Sequence, residues 1–274
     1  MPAAKRVSKK VILVTGASSG IGRATAAALA KHGHIVSGTA RSPQNTPPIS
    51  GVTLLPLDVT DDASVKRTVQ TVLEKHGRID VLVNNAGSAI LGALEETSVD
   101  QAKTLFDTNV FGVMRTSQAV LPAMRAQGSG LIINVSSVLG LLPAPYLAVY
   151  ASTKHALEGL SESLDHEVRE FGVRVVLVEP TFIRTGFGVH SMAAATTVSA
   201  YDAQRGRAAA AVAASIDSAP DPLVVGEEIA RAIDAPYRLR HPVGPRAKLL
   251  SRLRRFMPHG PFDKQLRKNF ALQG

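Results

Sequence analysis

Apolar residues along the chain alternate between short unbroken blocks and longer stretches where they recur every three or four positions. VILVT, residues 11–15, is such a block and ends at Gly16. A strand points successive side chains to opposite faces, so an unbroken apolar run belongs to a central strand covered on both sides. ATAAALAKHG then reads as a helix closed by Gly33. IVSGTA (35–40) is a second strand, followed by a proline-rich loop through Pro48, and VTLLPLDV (52–59) is a third. Residues 62–76 predict a helix opened by Asp61 or Asp62 and ended by Gly77, before IDVLVN as the fourth strand.

A long helix is expected over about 100–126, then LIINVS (131–136), a helix over 150–171 and VRVVLVEP (173–180). From about 186 to 222 the pattern loosens into an alanine-rich, weakly helical insertion. A helix resumes at 224–235, and RLRHPVG is a candidate last strand. Parallel neighbours cannot be joined by a tight turn, so strands alternating with helices imply crossover units. The expected fold class is α/β: a Rossmann-type doubly wound parallel sheet in a single domain over 1–274, without internal repeats.

Composition narrows the function classes. With 45% hydrophobic residues in 274, the chain can build a real core. It has no Cys, which excludes a disulfide framework, a cysteine-based zinc site and a thiol nucleophile. No metal is expected. The opening MPAAKRVSKKVILVTG reaches its glycine turn too soon for an export signal, so a cytoplasmic location is expected. No charged residue occurs between Arg125 and Lys154, but Asn134, Ser136, Ser137, Pro143 and Pro145 argue for a buried strand entering an active-site loop rather than a membrane span.

The net charge of +9 is concentrated in a C-terminal extension of about 236–274, from Arg238 to Lys268, with a smaller basic arm at 1–10. Leu249, Leu250, Leu253 and Phe256 recur at helical spacing among those charges, which favours a basic amphipathic helix packed on its own domain. Contact with a membrane surface is the alternative reading, and no nucleic-acid partner is expected.

Two motifs carry chemistry. Thr15–Gly22, TGASSGIG, places glycines at 16, 20 and 22 between a strand and a helix. Such a turn lets an anion approach bare backbone and unpaired helix N-terminal amides, a pyrophosphate site. YASTK sets Tyr150 and Lys154 one helical turn apart, so their side chains share a face. An ammonium there favours the phenolate, which makes Tyr150 a candidate acid/base with a depressed pKa. Taken alone, the pair is an amphipathic coincidence on most helices.

With Asp58, the NNAG of Asn84–Gly87, Asn109, Ser137 and Pro180–Thr185 in order, the chain resembles the short-chain dehydrogenase/reductase family over residues 10–190. The resemblance implies Tyr150 as proton donor or acceptor and Ser137, thirteen residues earlier, as its partner on the substrate oxygen. It implies that Lys154 depresses the Tyr150 pKa and holds the nicotinamide ribose, with Asn109 supporting a water chain to that lysine. Gly16, Ser18, Ser19, Gly20, Ile21 and Gly22 would contact the cofactor, together with Asp58, Val59, Asn85, Ala86 and Gly87. Pro180, Ile183 and Thr185 would hold the nicotinamide end. Thr181 replaces the family's usual glycine, which implies a stiffer backbone there.

An acidic residue ending the second strand would repel a 2′-phosphate, whereas here Ala40 is followed by Arg41, and NADP(H) is expected. Leu139, Leu141, Leu142, Pro143, Phe182, Phe187 and Met192 would give an apolar substrate surface, with about 186–222 covering it. The sequence is also similar to the 17β-hydroxysteroid-dehydrogenase-like and retinol-dehydrogenase-like branch. The resemblance thus implies a carbonyl reductase acting on a hydrophobic ketone or the corresponding alcohol, and a homo-oligomer. A non-catalytic NADP(H)-binding sensor or scaffold is the alternative.

Overall fold

The computed structural model describes residues 9–185 and 192–272, and for 252–255 the backbone alone. Most of the basic arm, Phe187 and the start of the expected covering segment lie outside the described residues.

In chain order the elements are β1 (Val11–Val14), α1 (Gly20–Lys31), β2 (Ile35–Ala40), β3 (Val52–Pro56), α2 (Asp62–His76) and β4 (Val81–Asn84). Then come β5 (Ile90–Leu91), α3 (Val99–Phe106), a π turn (Asp107–Phe111), α4 (Gly112–Gln127), β6 (Gly130–Val135) and α5 (Ala148–Val168). The chain continues with β7 (Val173–Pro180), β8 (Met192–Ala193), α6 (Asp202–Asp217), α7 (Leu223–Asp234), β9 (Arg240–Val243), α8 (Gly244–Phe256) and α9 (His259–Asn269).

Seven strands form one sheet in the order β3-β2-β1-β4-β6-β7-β9, and every pairing is parallel. The unbroken apolar run of β1 divides by parity. Ile12 and Val14 pack with Ala26 and Leu29 of α1 and with Val225 and Ile229 of α7. Val11 and Leu13 pack on the other face with Val69 and Val72 of α2 and with Val120 and Met124 of α4. Each such side chain contributes about 1.5–3 kcal/mol by leaving water.

Local signals set several boundaries. The Asp61 carboxylate accepts from the Ala63 amide at 2.8 Å, which makes Asp61 the cap of α2, and Gly77 ends it at φ 71°. β3 stops earlier than its apolar pattern because Asp58 folds back on the Thr60 amide at 2.9 Å, a turn that competes with the ladder. The long helix expected over 100–126 is interrupted by the π turn. The alanine-rich stretch contains a full helix, α6. Among the described residues no helix is long and apolar enough to cross a membrane.

Candidate active site

β2 and β4 flank β1 on opposite sides, so the chain reverses direction across the sheet at β1, and the crevice beyond the strand ends is where such sheets take ligands. A cavity of about 530 Å³ lies there, walled by the segments that leave β1, β2, β3, β4, β6 and β7.

Its first wall is the glycine turn. The buried Thr15 hydroxyl accepts from the amides of Asn85 at 2.9 Å and Ala86 at 3.0 Å, while Asn85 Nδ2 donates to the carbonyls of Thr15 and Gly16 at 3.0 and 3.1 Å. These bonds clamp TGASSGIG to NNAG. Gly16, at φ 69°, passes so near Ala86 that a Cβ would stand 2.9 Å from its Cα. Ser18, Ser19, Gly20 and Ile21 line the cavity, and Ser19 makes no side-chain cap at the start of α1. Gly22 is not on the wall. A Cβ there would overlap the Gly16 carbonyl and Asn85 Nδ2, so its bareness serves the packing of the turn.

At the far end Arg41, exposed after β2, borders the cavity with Asp58 and Val59. Bonds from Thr60 hold the Asp58 carboxyl below its ordinary range, and the nearby Arg41 charge adds to the effect.

The opposite end holds the phenol. Tyr150, Ser137 and Lys154 are all buried and line the cavity. Ser137 hydrogen-bonds Tyr150 and also donates to the Pro180 carbonyl at 3.5 Å. Its neighbour Ser136 instead donates its hydroxyl to Glu158, which separates the two serines by role. The depressed Tyr150 pKa expected from the sequence is overturned: burial raises it above the ordinary phenol value, and the Ser137 bond offsets only part of that. The Lys154 ammonium stands over the phenol ring, 5.8 Å from its centroid. It donates to the Val135 carbonyl at 2.9 Å, and burial pushes its pKa down to about 8 despite the opposing pull of Glu158.

Asn109 does not line the cavity. It sits on the π turn, 2% exposed, where Oδ1 accepts from the Ser88 amide at 3.0 Å. Its Nδ2 donates to the Ser88 carbonyl at 2.9 Å and to Thr153 Oγ1 at 3.1 Å. It thus ties the loop after β4 to α5, and the π turn is what aims it there. Pro180, Ile183 and Thr185 lie on the wall as expected. Among non-glycine described residues only Tyr146 and Ala271 have positive φ, so Thr181 occupies its position without needing glycine's freedom.

Leu139 and Phe182 separate this cavity from an apolar one of about 110 Å³ that Leu142 and Pro143 also line. Leu141 lines neither; it packs against a small cluster around Val138 and Ala247. Met192 lines neither as well, because β8 pairs it with Ile90 of β5. Val212 and Ile216 of α6 close the main cavity, a wall that weak periodicity concealed. The buried Glu96 anchors that helix: it pairs with Arg205 and accepts from the amides of Ala93 and Val198, each at 2.9 Å.

Behind the phenol lies a charged cluster that the sequence did not disclose. Glu158 and Glu179, 4% and 0% exposed, share Arg240. Burial, then the Glu158 charge, raises the Glu179 pKa. The only linear signal was a carboxylate one turn beyond Lys154.

The family model described as short chain dehydrogenase matches residues 10–195. A 3-ketodihydrosphingosine reductase of Bacteroides thetaiotaomicron is 46% identical over 178 residues, a match spanning 65% of this chain and 65% of that protein. A solved short-chain dehydrogenase from Streptomyces avermitilis is 36% identical with a TM-score of 0.79, covering 96% of this chain and 95% of that one. A short-chain dehydrogenase/reductase from Burkholderia phymatum, solved in complex with NAD, is 26% identical with a TM-score of 0.77 and coverage of 96% and 97%.

Proposed function

This chain belongs to the short chain dehydrogenase family of oxidoreductases, and we propose that within it the protein works as an NADPH-dependent reductase of hydrophobic ketones. One observation carries the reading. A hydrogen-bonded Ser137–Tyr150 pair stands in a single cavity whose one end is a glycine turn and whose other end is apolar.

The residues present fit a nicotinamide dinucleotide. Side-chain-free backbone at Gly16 and Gly20, with the uncapped start of α1, suits the pyrophosphate, and Arg41 suits a 2′-phosphate through charge and paired hydrogen bonds. The bound dinucleotide would supply the hydride.

Reduction leaves negative charge on the carbonyl oxygen. Ser137 and Tyr150 hold that oxygen, and Tyr150 delivers the proton. The phenol is protonated at neutral pH, the form that donation requires. Lys154 carries a proton at neutral pH and would engage the ribose hydroxyls. Asn109 acts as a positioning residue by clamping α5 to the loop after β4. Leu139 and Phe182 give the ketone an apolar seat, with α6 excluding water. A homo-oligomer formed through α4 and α5 belongs to the same reading.

The test is steady-state oxidation of NADPH and NADH against aliphatic, aryl and steroidal ketones. The name of the Bacteroides relative adds 3-ketodihydrosphingosine to that panel. Turnover with NADPH strongly preferred is the expected result. Tight dinucleotide binding without consumption on any ketone refutes the reading.

A further inference from the structure

The C-terminal helices α8 and α9 lie beyond the last strand of the sheet and differ from the rest of the surface in two independent ways. Their first difference is charge. Residues 244–269 carry eight Lys and Arg against a single acid, Asp263. Arg246, Lys248, Lys264 and Lys268 are exposed.

Their second difference is exposed apolar surface. α8 uses one side for packing, where Ala247 is fully buried and Leu250 joins it against Val138 and Leu142. Leu249 and Phe256 do not share in that packing. They are 56% and 79% exposed, and Phe256 is the most exposed large hydrophobic among the described residues. Seven residues is close to two helical turns, so the two side chains stand on one stripe. The exposed cations Arg246 and Lys248 lie on the same helix.

A second copy of the chain is a poor occupant, because each face would bring the same excess of positive charge to the other. A nucleic-acid backbone would satisfy the cations but gains nothing from two aliphatic and aromatic side chains held in water. An anionic bilayer satisfies both, since phosphate headgroups meet the cations and the acyl boundary takes the apolar stripe.

We propose that α8 and α9 form a docking surface for anionic lipid bilayers, with Leu249 and Phe256 entering the acyl boundary and the surrounding Lys and Arg over the headgroups. The inner sides of the same helices, through Leu250 and Leu266 with Met257 of the link between them, wall the 110 Å³ apolar cavity that adjoins the main one. A bilayer held here therefore lies over that cavity. The docking itself stands independently of the ketone reductase reading.

Vesicle sedimentation of the full chain tests it, using phosphatidylcholine alone and an equal mixture of phosphatidylcholine and phosphatidylserine. The protein should sediment with the mixed vesicles, stay in solution with the neutral ones, and be released as salt rises. Leu249→Ser with Phe256→Ser should weaken mixed-vesicle binding at least about tenfold, with thermal unfolding and dinucleotide binding unchanged. Because the chain has no Trp, Phe256→Trp gives a single indole whose emission should shift to the blue only with mixed vesicles. Failure to sediment, or full binding by the double serine variant, overturns the proposal. So does a dimer that the double variant dissociates while vesicle binding persists, which would make the face an interface between copies. Competition by a DNA duplex that binds both proteins equally, with the vesicle step also indifferent to the two serines, would show a surface that reads charge alone and would end the proposal.

Discussion

Lys154 and Tyr150 are one helical turn apart, yet the lysine ammonium stands 5.8 Å from the centroid of the phenol ring and donates to the Val135 carbonyl at 2.9 Å. Spacing brought the two side chains to one face of α5, and burial then governed what each became. Desolvation disfavours charge on either group, so the phenol moves up and the ammonium down, and the pair does not depress the Tyr150 pKa.

The lysine's proton affinity makes stability depend on pH. Unfolded, Lys154 titrates near 10.5, and folded, at about 8, so below about pH 8 the fold carries an unfavourable buried ammonium. Between those values the unfolded chain binds more protons, and stability rises with pH. Lys154→Met should therefore be more stable than the wild type at neutral pH by about 1–3 kcal/mol, less the lost bond to Val135. The difference should shrink across that window. Denaturant titrations at pH 7 and pH 9.5 check this, and a gap independent of pH refutes it.

Tyr150→Phe removes the proposed proton donor and little else, because the ring keeps its packing. Its kcat should fall about 10²–10⁴-fold, with dinucleotide affinity nearly unchanged. Stopped-flow binding alongside turnover separates the two effects, and a fully active variant would dismiss Tyr150 as the acid.

Arg41 borders the cavity where a 2′-phosphate would lie. Losing charge-assisted bonds should raise the KM for NADPH by about tenfold to a hundredfold in Arg41→Ala, and leave NADH nearly unaffected. Equal changes for both cofactors would show that the guanidinium is merely solvated.

Gly22→Ala places a methyl group on the Gly16 carbonyl and Asn85 Nδ2. Backbone must move to admit it, so a loss of about 1–3 kcal/mol is expected, together with weaker dinucleotide binding. Equilibrium unfolding and a binding titration measure the two.

Glu96→Gln leaves Arg205 without its buried partner carboxylate while keeping the shape of the side chain. Breaking such a pair costs about 3 kcal/mol, felt locally by the segment leading into α6. Limited proteolysis should cut faster between 192 and 205, and KM for the ketone should rise before kcat falls. Unchanged proteolysis would mean that the helix is held by other contacts.

The linear pattern was enough for what depends on neighbours along the chain. VILVT reads as a strand covered on both faces, and TGASSGIG as a bare turn opening a helix. Tyr150 and Lys154 share a face of one helix by spacing alone. Distance in sequence concealed the rest. Glu158 meets Arg240 across 82 residues, and Glu96 meets Arg205 across 109. Neither Val212 nor Ile216 announces that it closes a cavity. β5 and β8 are two residues each, too short for any period to register. Residue order determined which groups are present and which face each takes; the tertiary structure shifted their proton affinities and chose their partners, because burial and long-range pairing arise only when segments remote in sequence pack together.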